Sequence, residues 1–226
     1  MNAELLSQSL PKQGYALLPS LLSPDLCSSL IESYNDSRLY RKTIDMQRYR
    51  FGQGEYKYFQ YPLPEVIQKL RSILYLPLSV IANEWASHLK TGISFPDDHE
   101  QFLTMCVEKN QTRPTPLILR YEQGGFNTLH QDLYGDIYFP FQVVIVLSQT
   151  GIDFTGGEFV MTEQIPRAQS KAMVIQPNQG DAVVFTTHSR PIKGSRGYYR
   201  ANMKHGISEV KSGERYALGI IFHDAT

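Results

Sequence analysis

The 226-residue chain holds only two cysteines, Cys27 and Cys106, far apart and in no paired motif. That scarcity excludes a disulfide framework and a cysteine-built zinc site. Charge of one sign is also missing. Lys and Arg number 22 and Asp and Glu 22, so no global attraction to nucleic acid or to an anionic membrane is built in. No apolar run approaches the ~20 residues that a membrane-spanning helix requires. The opening residues, MNAELLSQSLPKQGY, lack a basic stretch followed by an apolar one, so no secretory signal is expected. Repeats and low-complexity tracts are absent as well. Together these absences describe a reduced, cytoplasmic protein without a membrane partner.

What is present is an ordinary globular composition, 42% hydrophobic and 19% charged, on a chain long enough to bury a core. The first half reads as helices with irregular connections. In PSLLSPDLCSSLIESYND, Ser23 is an N-cap and Pro24 takes the first helical position. Leu26, Leu30 and Ile31 then fall on one face, with Cys27 beside them. A second helix fits residues 64–90, with a break expected near Pro77. Between the two helices, FGQGEYKYFQYPLP is rich in aromatics and glycine and fits no regular pattern; it is either a rim over a pocket or packing between helices and sheet.

From residue 116 the period changes. PLILRY, FQVVIVLS, GGEFVM, KAMVIQ, DAVVFTT and RYALGIIF are short apolar, β-branched runs, separated by the turn signals EQGG, TGG, PNQG and KSGE. This spacing predicts a β-sandwich or barrel. The expected division is a helical and irregular support region over 1–114 and a β core over 115–226, packed as one unit. The glycines of TGGEF and QGD read as turn residues of positive φ.

The stretch TLHQDLYG raises the question of chemistry. On an extended strand, residues i and i+2 share a face, so His130 and Asp132 can converge on one ion. The plain alternative is that Asp132 caps a turn and His130 lies on the surface. Two histidines and a carboxylate on one face form the triad of non-haem Fe(II) oxygenases. His205, in NMKHGISEVKSGERYALGIIF, is a distant second histidine. Arg215, ten residues on, opens the last apolar strand and can hold a dicarboxylate by a bidentate pair.

The order LRYEQGGFNTLHQD, TGGEFVM, QGDAVVF and HGISEVKSGERYALGIIF resembles the 2-oxoglutarate- and Fe(II)-dependent dioxygenases, in particular their prolyl-4-hydroxylase-like branch. The likeness runs from about residue 115 to the end. GYALLPSLLSPDLCSSLIESY is similar, far less specifically, to the lead-in segment of such enzymes. The resemblance implies an α+β fold, a double-stranded β-helix (jelly roll) with the N-terminal helices packed outside it. It implies His130, Asp132 and His205 as iron ligands, Arg215 on the distal carboxylate of 2-oxoglutarate, and Tyr121 lining the co-substrate pocket. Oxygen and 2-oxoglutarate would be consumed to give succinate, carbon dioxide and a hydroxylated substrate. Ascorbate, which keeps iron ferrous in many members, is an expected accessory.

His205 has a rival in His188, which is followed eight residues on by Arg196. His205 is preferred because HGISEVKSGER is closer to the family pattern and the strand after it is strongly apolar. His88 and His99 read as structural or exposed. His223 and Asp224, at the chain end, read as surface residues. Residues 188–215 carry seven Lys or Arg against two Glu, which is either a solvated loop or a patch for an acidic peptide or a phosphate backbone.

The expected function is hydroxylation of a protein or peptide side chain, with proline as one candidate. One alternative is removal of an N-methyl group from nucleic acid, as in alkylation-repair dioxygenases, through the basic segment. Another is a catalytically silent jelly-roll binding module.

Overall fold

The computed structural model describes residues 3–133 and 135–226. Helix α1 (Ala3–Gln13) runs into strand β1 (Tyr15–Leu18). Helix α2 (Pro24–Ser33) starts where the sequence places it: Ser23 Oγ accepts the Leu26 N–H at 3.3 Å. Its Cys27 and Leu30 face the core.

Strands β2 (Tyr40–Asp45), β3 (Gly52–Gln53) and β4 (Glu55–Phe59) follow, so the aromatic segment that fitted no pattern is largely strand. The chain passes from one sheet to the other at Gly54. There φ is +151° and a Cβ would lie 2.8 Å from the Tyr121 ring, so only glycine fits.

Helix α3 (Glu65–His88) is continuous through Pro77, against the expected break. The carbonyl that loses its donor belongs to Ile73, on the exposed side, while Leu74, Tyr75 and Leu78 keep the opposite face buried. Packing thus outweighs the proline penalty of about 3 kcal/mol. Helix α4 (His99–Glu108) is capped by Asp98, which accepts from the Glu100 and Gln101 N–H groups.

The remaining strands are β5 (Leu117–Tyr121), β6 (Phe126–His130), β7 (Phe141–Val146), β8 (Phe154–Gly156), β9 (Phe159–Gln164), β10 (Lys171–Ile175) and β11 (Ala182–Thr186). They continue as β12 (Ser189–Gly194), β13 (Gly197–Ile207), β14 (Val210–Gly213) and β15 (Arg215–Ile221). One sheet has the order β1-β11-β7-β15-β5-β4-β2, and the other runs β10-β9-β13-β6-β3, with β12 paired to β13. A small β14-β8 pair stands apart. The first 114 residues therefore contribute strands to both sheets as well as helices.

Two apolar layers result. Between the sheets lie Val144, Val146, Phe159, Met161, Val183 and Phe185. On the outer face of the larger sheet, Val143, Ile145, Ile118, Leu218 and Ile220 pack against Leu74, Tyr75, Leu78 and Trp85 of α3. Successive residues of β7 serve the two layers alternately, which is why FQVVIV is wholly buried and apolar but for Gln142. Each such side chain is worth roughly 1.5–3 kcal/mol of burial. The helices lie outside the jelly roll, as expected.

Two further expectations change. The basic segment is not a loop: β12 and β13 form a hairpin. Of its seven cations, Arg190 is buried against Glu163 at 2.5 Å, Lys211 pairs with Glu209 at 3.0 Å, and Arg215 is buried. Lys193, Arg196, Arg200 and Lys204 remain exposed, with no ion pair among the described residues.

The chain-end pair is not on the surface either. His223 and Asp224 are buried, and Arg71 of α3 meets Asp224 at 2.6 Å. Arg71 also donates to the Ile221 and Phe222 carbonyls and to Tyr61, clamping α3 onto the end of β15. His99 Nε2 donates to the Phe222 carbonyl at 2.8 Å, and His223 Nδ1 accepts the Phe139 N–H.

Candidate active site

Strand β13 alternates cleanly: Ala201, Met203 and His205 point inward, Asn202 and Lys204 outward. β6 lies beside it, and His130 is the direct cross-strand partner of His205. The imidazoles therefore meet on one face, ring centroids 4.3 Å apart. Asp132, two residues beyond His130, closes the group: its carboxylate lies 3.4 Å from His130 Nε2 and 3.3 Å from His205 Nε2. One donor atom from each of the three lies within 4.8 Å of the others.

His130 Nδ1 donates to the Thr128 carbonyl at 2.7 Å, which leaves the Nε2 lone pair facing the group. Burial alone pushes Asp132 up, but hydrogen bonds and charge from His130 and His205 outweigh it and hold the carboxyl well below the usual carboxylate range. His205 is held down by desolvation, so it stays neutral, as a metal ligand must. Burial also acts to lower His130, but pairing with Asp132 raises it overall. Two neutral imidazoles and a carboxylate are the donor set that suits Fe(II). The structure brings His205, and not His188, to this group. His188 lies half-buried in a separate cleft with Arg200 and Trp85.

The pocket beside the three residues is lined by Tyr56, Tyr58, Tyr121, Phe159, Phe185 and Arg215, among others. Arg215 and Tyr121 are cross-strand partners on β15 and β5, the guanidinium 5.8 Å from the Tyr121 ring centre. Both are fully buried, yet among the described residues Arg215 Nε and Nη1 and the Tyr121 hydroxyl have no hydrogen-bond partner. Unmet buried donors cost about 1–3 kcal/mol each and call for an acceptor. A dicarboxylate end fits them. Desolvation lowers Arg215 and raises Tyr121.

Gly157 makes the cradle: at φ +63°, a Cβ there would meet Arg215 Cδ at 2.8 Å. The glycines Gly156, Gly157 and Gly180 all have positive φ, as the turn reading expects.

The aromatic segment from Phe51 does line the pocket, through Phe51, Tyr56 and Tyr58, but the residues just before it escaped sequence reasoning. The exposed run Arg48-Tyr49-Arg50-Phe51 closes the 3-10 turn Met46–Tyr49 and ends at the pocket, which Phe51 lines. Tyr49 and Phe51 stack at 5.5 Å and 18° although 53% and 46% exposed. The alternation RYRF was the available signal. Phe51 is tied to β6: its carbonyl accepts both the N–H and the hydroxyl of Thr128 at 2.9 Å.

Among solved structures, the chain is similar to a Pseudomonas putida prolyl-4-hydroxylase (14% identity, 100% of each chain, TM-score 0.55). It is similar to a Burkholderia pseudomallei oxidoreductase of the 2OG-Fe(II) oxygenase family (18%, 100% of this chain and 93% of that one, 0.55). It is also similar to a Trichoplax adhaerens prolyl hydroxylase solved with a hypoxia inducible factor peptide fragment (13%, 97% and 87%, 0.60). The fold is that of the 2-oxoglutarate- and Fe(II)-dependent oxygenases.

Residues 54–225 match the family Oxygenase-NA, described as an oxygenase catalysing oxidative methylation of damaged DNA. The chain belongs to this family and is an oxygenase. An uncharacterised protein of Mycobacterium tuberculosis is 48% identical over 167 residues, 74% of this chain and 72% of that protein.

Proposed function

We propose that this chain oxidises an alkylated base in nucleic acid, with Fe(II) held by His130, Asp132 and His205 and 2-oxoglutarate held by Arg215 and Tyr121. Bound there, Fe(II) would activate molecular oxygen, the oxidant; 2-oxoglutarate would give up two electrons in passing to succinate and carbon dioxide, one oxygen atom of O2 entering succinate and the other a substrate C–H bond. The chain's own groups position the reactants. Arg215 offers a forked pair of donors to a carboxylate, and the Tyr121 hydroxyl adds a third. Phe159 and Phe185, packed on His205, keep water from the reacting side. An N-methyl group hydroxylated there becomes N-hydroxymethyl and leaves as formaldehyde.

The observation that carries the substrate is the rim. Tyr49 and Phe51 form an exposed aromatic platform at the edge of the pocket, and two exposed arginines, Arg48 and Arg50, alternate with them in the chain. Bases stack on such platforms at about 1–3 kcal/mol each, while cations take the phosphates. A base must leave its stack to reach a buried centre, and a platform beside the entrance receives its neighbours. Lys193, Arg196, Arg200 and Lys204 extend the cationic surface from β12 and β13, on the other side of β6.

Hydroxylation of a peptide side chain, prolyl included, is the second reading. It draws on the fold likeness to prolyl hydroxylases, one of them solved with a peptide. Formaldehyde release from singly N-methylated single-stranded oligonucleotides, with Fe(II), 2-oxoglutarate and ascorbate, decides between them. The nucleic-acid reading expects formaldehyde and succinate in equal amounts and a loss of roughly tenfold or more in oligonucleotide affinity for Tyr49→Ala. A mass gain of one oxygen on peptides, with no formaldehyde from any oligonucleotide, would reverse the order.

A further inference from the structure

Among the described residues, four side chains that line the pocket carry a buried polar atom without a hydrogen-bond partner: Tyr121, Gln142, His205 and Arg215. In His205 it is Nδ1, across the ring from the Nε2 that meets Asp132. Tyr121 and Arg215 are accounted for by the proposed co-substrate. Gln142 is not. It sits on β7 in a stretch otherwise wholly apolar, FQVVIV, and is 5% exposed. Its Nε2 has no partner among the described residues. A polar residue in the middle of a fully buried strand is costly unless its amide is met, by about 1–3 kcal/mol.

Its position separates it from the co-substrate. Gln142 is the cross-strand partner of Ile221, six residues along β15 from Arg215. At ~3.3 Å per residue that is about 20 Å, beyond the reach of a dicarboxylate as short as 2-oxoglutarate anchored on Arg215. On its other side Gln142 pairs with Phe185, whose ring lies 4.6 Å from that of His205. It therefore borders the three-residue group on the side away from Arg215. Tyr58 and Gly219 line the same region, and Gly219 contributes no side chain to fill it.

We propose that Gln142 is a specificity-determining residue whose carboxamide reads the polar edge of the incoming base. Nε2 donates to a carbonyl oxygen or ring nitrogen next to the alkylated atom. This rests on the nucleic-acid reading above. A pocket that reads a base edge by such an amide discriminates between bases that differ in one donor or acceptor, in the way glutamine does in a DNA groove.

The test uses two single-stranded oligonucleotides that differ at one base, 3-methylthymine or 3-methylcytosine. These carry a carbonyl oxygen or an amino group at the same position beside the methylated nitrogen. Formaldehyde release gives the ratio of kcat/KM for the two, and fluorescence anisotropy on the metal-free full chain gives the ratio of Kd. Gln142→Leu, close in volume and without an amide, is expected to shift both ratios by roughly tenfold or more, away from 3-methylthymine. Gln142→Glu, which offers only acceptors, is expected to move them further toward 3-methylcytosine, and it serves if the leucine variant folds poorly.

If both variants change the two substrates by the same factor, Gln142 does not read the base and the inference falls, while the nucleic-acid reading stands. If the wild-type chain makes succinate but releases no formaldehyde and binds neither oligonucleotide, the nucleic-acid reading fails and takes this inference with it.

Discussion

Two arginines are buried to the same degree in this protein, and their surroundings could hardly differ more. Arg71 is 0% exposed and Arg215 1%. Arg71 donates to two carbonyls, a tyrosine hydroxyl and the Asp224 carboxylate. Arg215 has aromatic rings beside it and, among the described residues, leaves Nε and Nη1 without a partner. They lie near opposite ends of one strand, since β15 begins at Arg215 and Arg71 clamps the backbone at residues 221 and 222. Burial alone therefore says nothing about role. A guanidinium whose hydrogen bonds are all met is a structural clamp, and one left unmet beside a pocket is a place for a ligand.

The unmet end breaks most completely at the three-residue group. His130→Ala, Asp132→Ala and His205→Ala should each abolish iron binding, read by elemental analysis, and iron-dependent succinate formation. His188→Ala should leave iron binding intact; the reverse pattern would return the ligand role to His188.

The met end breaks through stability. Arg71→Leu strands a buried Asp224 carboxylate and should cost about 3–5 kcal/mol. In a chain of this length that lowers Tm on the order of 10 °C, as calorimetry would record.

Arg215→Leu sharpens the contrast, because no partner is left stranded. Its unfolding free energy in urea should change by less than about 1 kcal/mol, while KM for 2-oxoglutarate rises roughly 10–100-fold, the worth of a hydrogen bond to a charged group. A large loss of stability together with an unchanged KM would make Arg215 a second clamp.

The met end also carries a pH dependence around Arg71. His99 and His223 are both held at about 4, first by desolvation and then by the Arg71 charge. Unfolded, both titrate near 6.5. The unfolded chain thus takes up more protons between these values. Stability is whole above about pH 6.5 and falls as pH drops toward 4, by at most ~1.4 kcal/mol per pH unit for each ring. Urea midpoints at pH 7.5 and 5 check it, and His223→Asn should flatten the slope.

The sequence made legible what local pattern encodes. Six apolar runs became β5, β7, β9, β10, β11 and β15, and Ser23-Pro24 began a helix. The HxD spacing, His205 and Arg215 could be picked out because each stands beside such a run. What escaped depends on distance or on polar strands. FNTLH of β6 is mostly exposed, so no alternation marks it. The β12–β13 hairpin is polar toward its tip and read as a loop. The burial of His223 and Asp224 depends on Arg71, about 150 residues earlier in the chain, which no window over the C-terminus contains. Gln142 passed unnoticed because it is one polar letter in an apolar run, and only the fold reveals that its amide is unmet.

Thr128 has a consequence for accuracy. Its N–H and hydroxyl hold the Phe51 carbonyl, and its own carbonyl holds His130 Nδ1. One residue thus spans from the stacking platform to the imidazole, like the short arm of a set square. The distance between where a neighbouring base would rest and where oxygen would be delivered is then gauged by a single amino acid. An error in that distance would have to turn φ or ψ of Thr128 while β6 holds it extended between two rigid peptide planes.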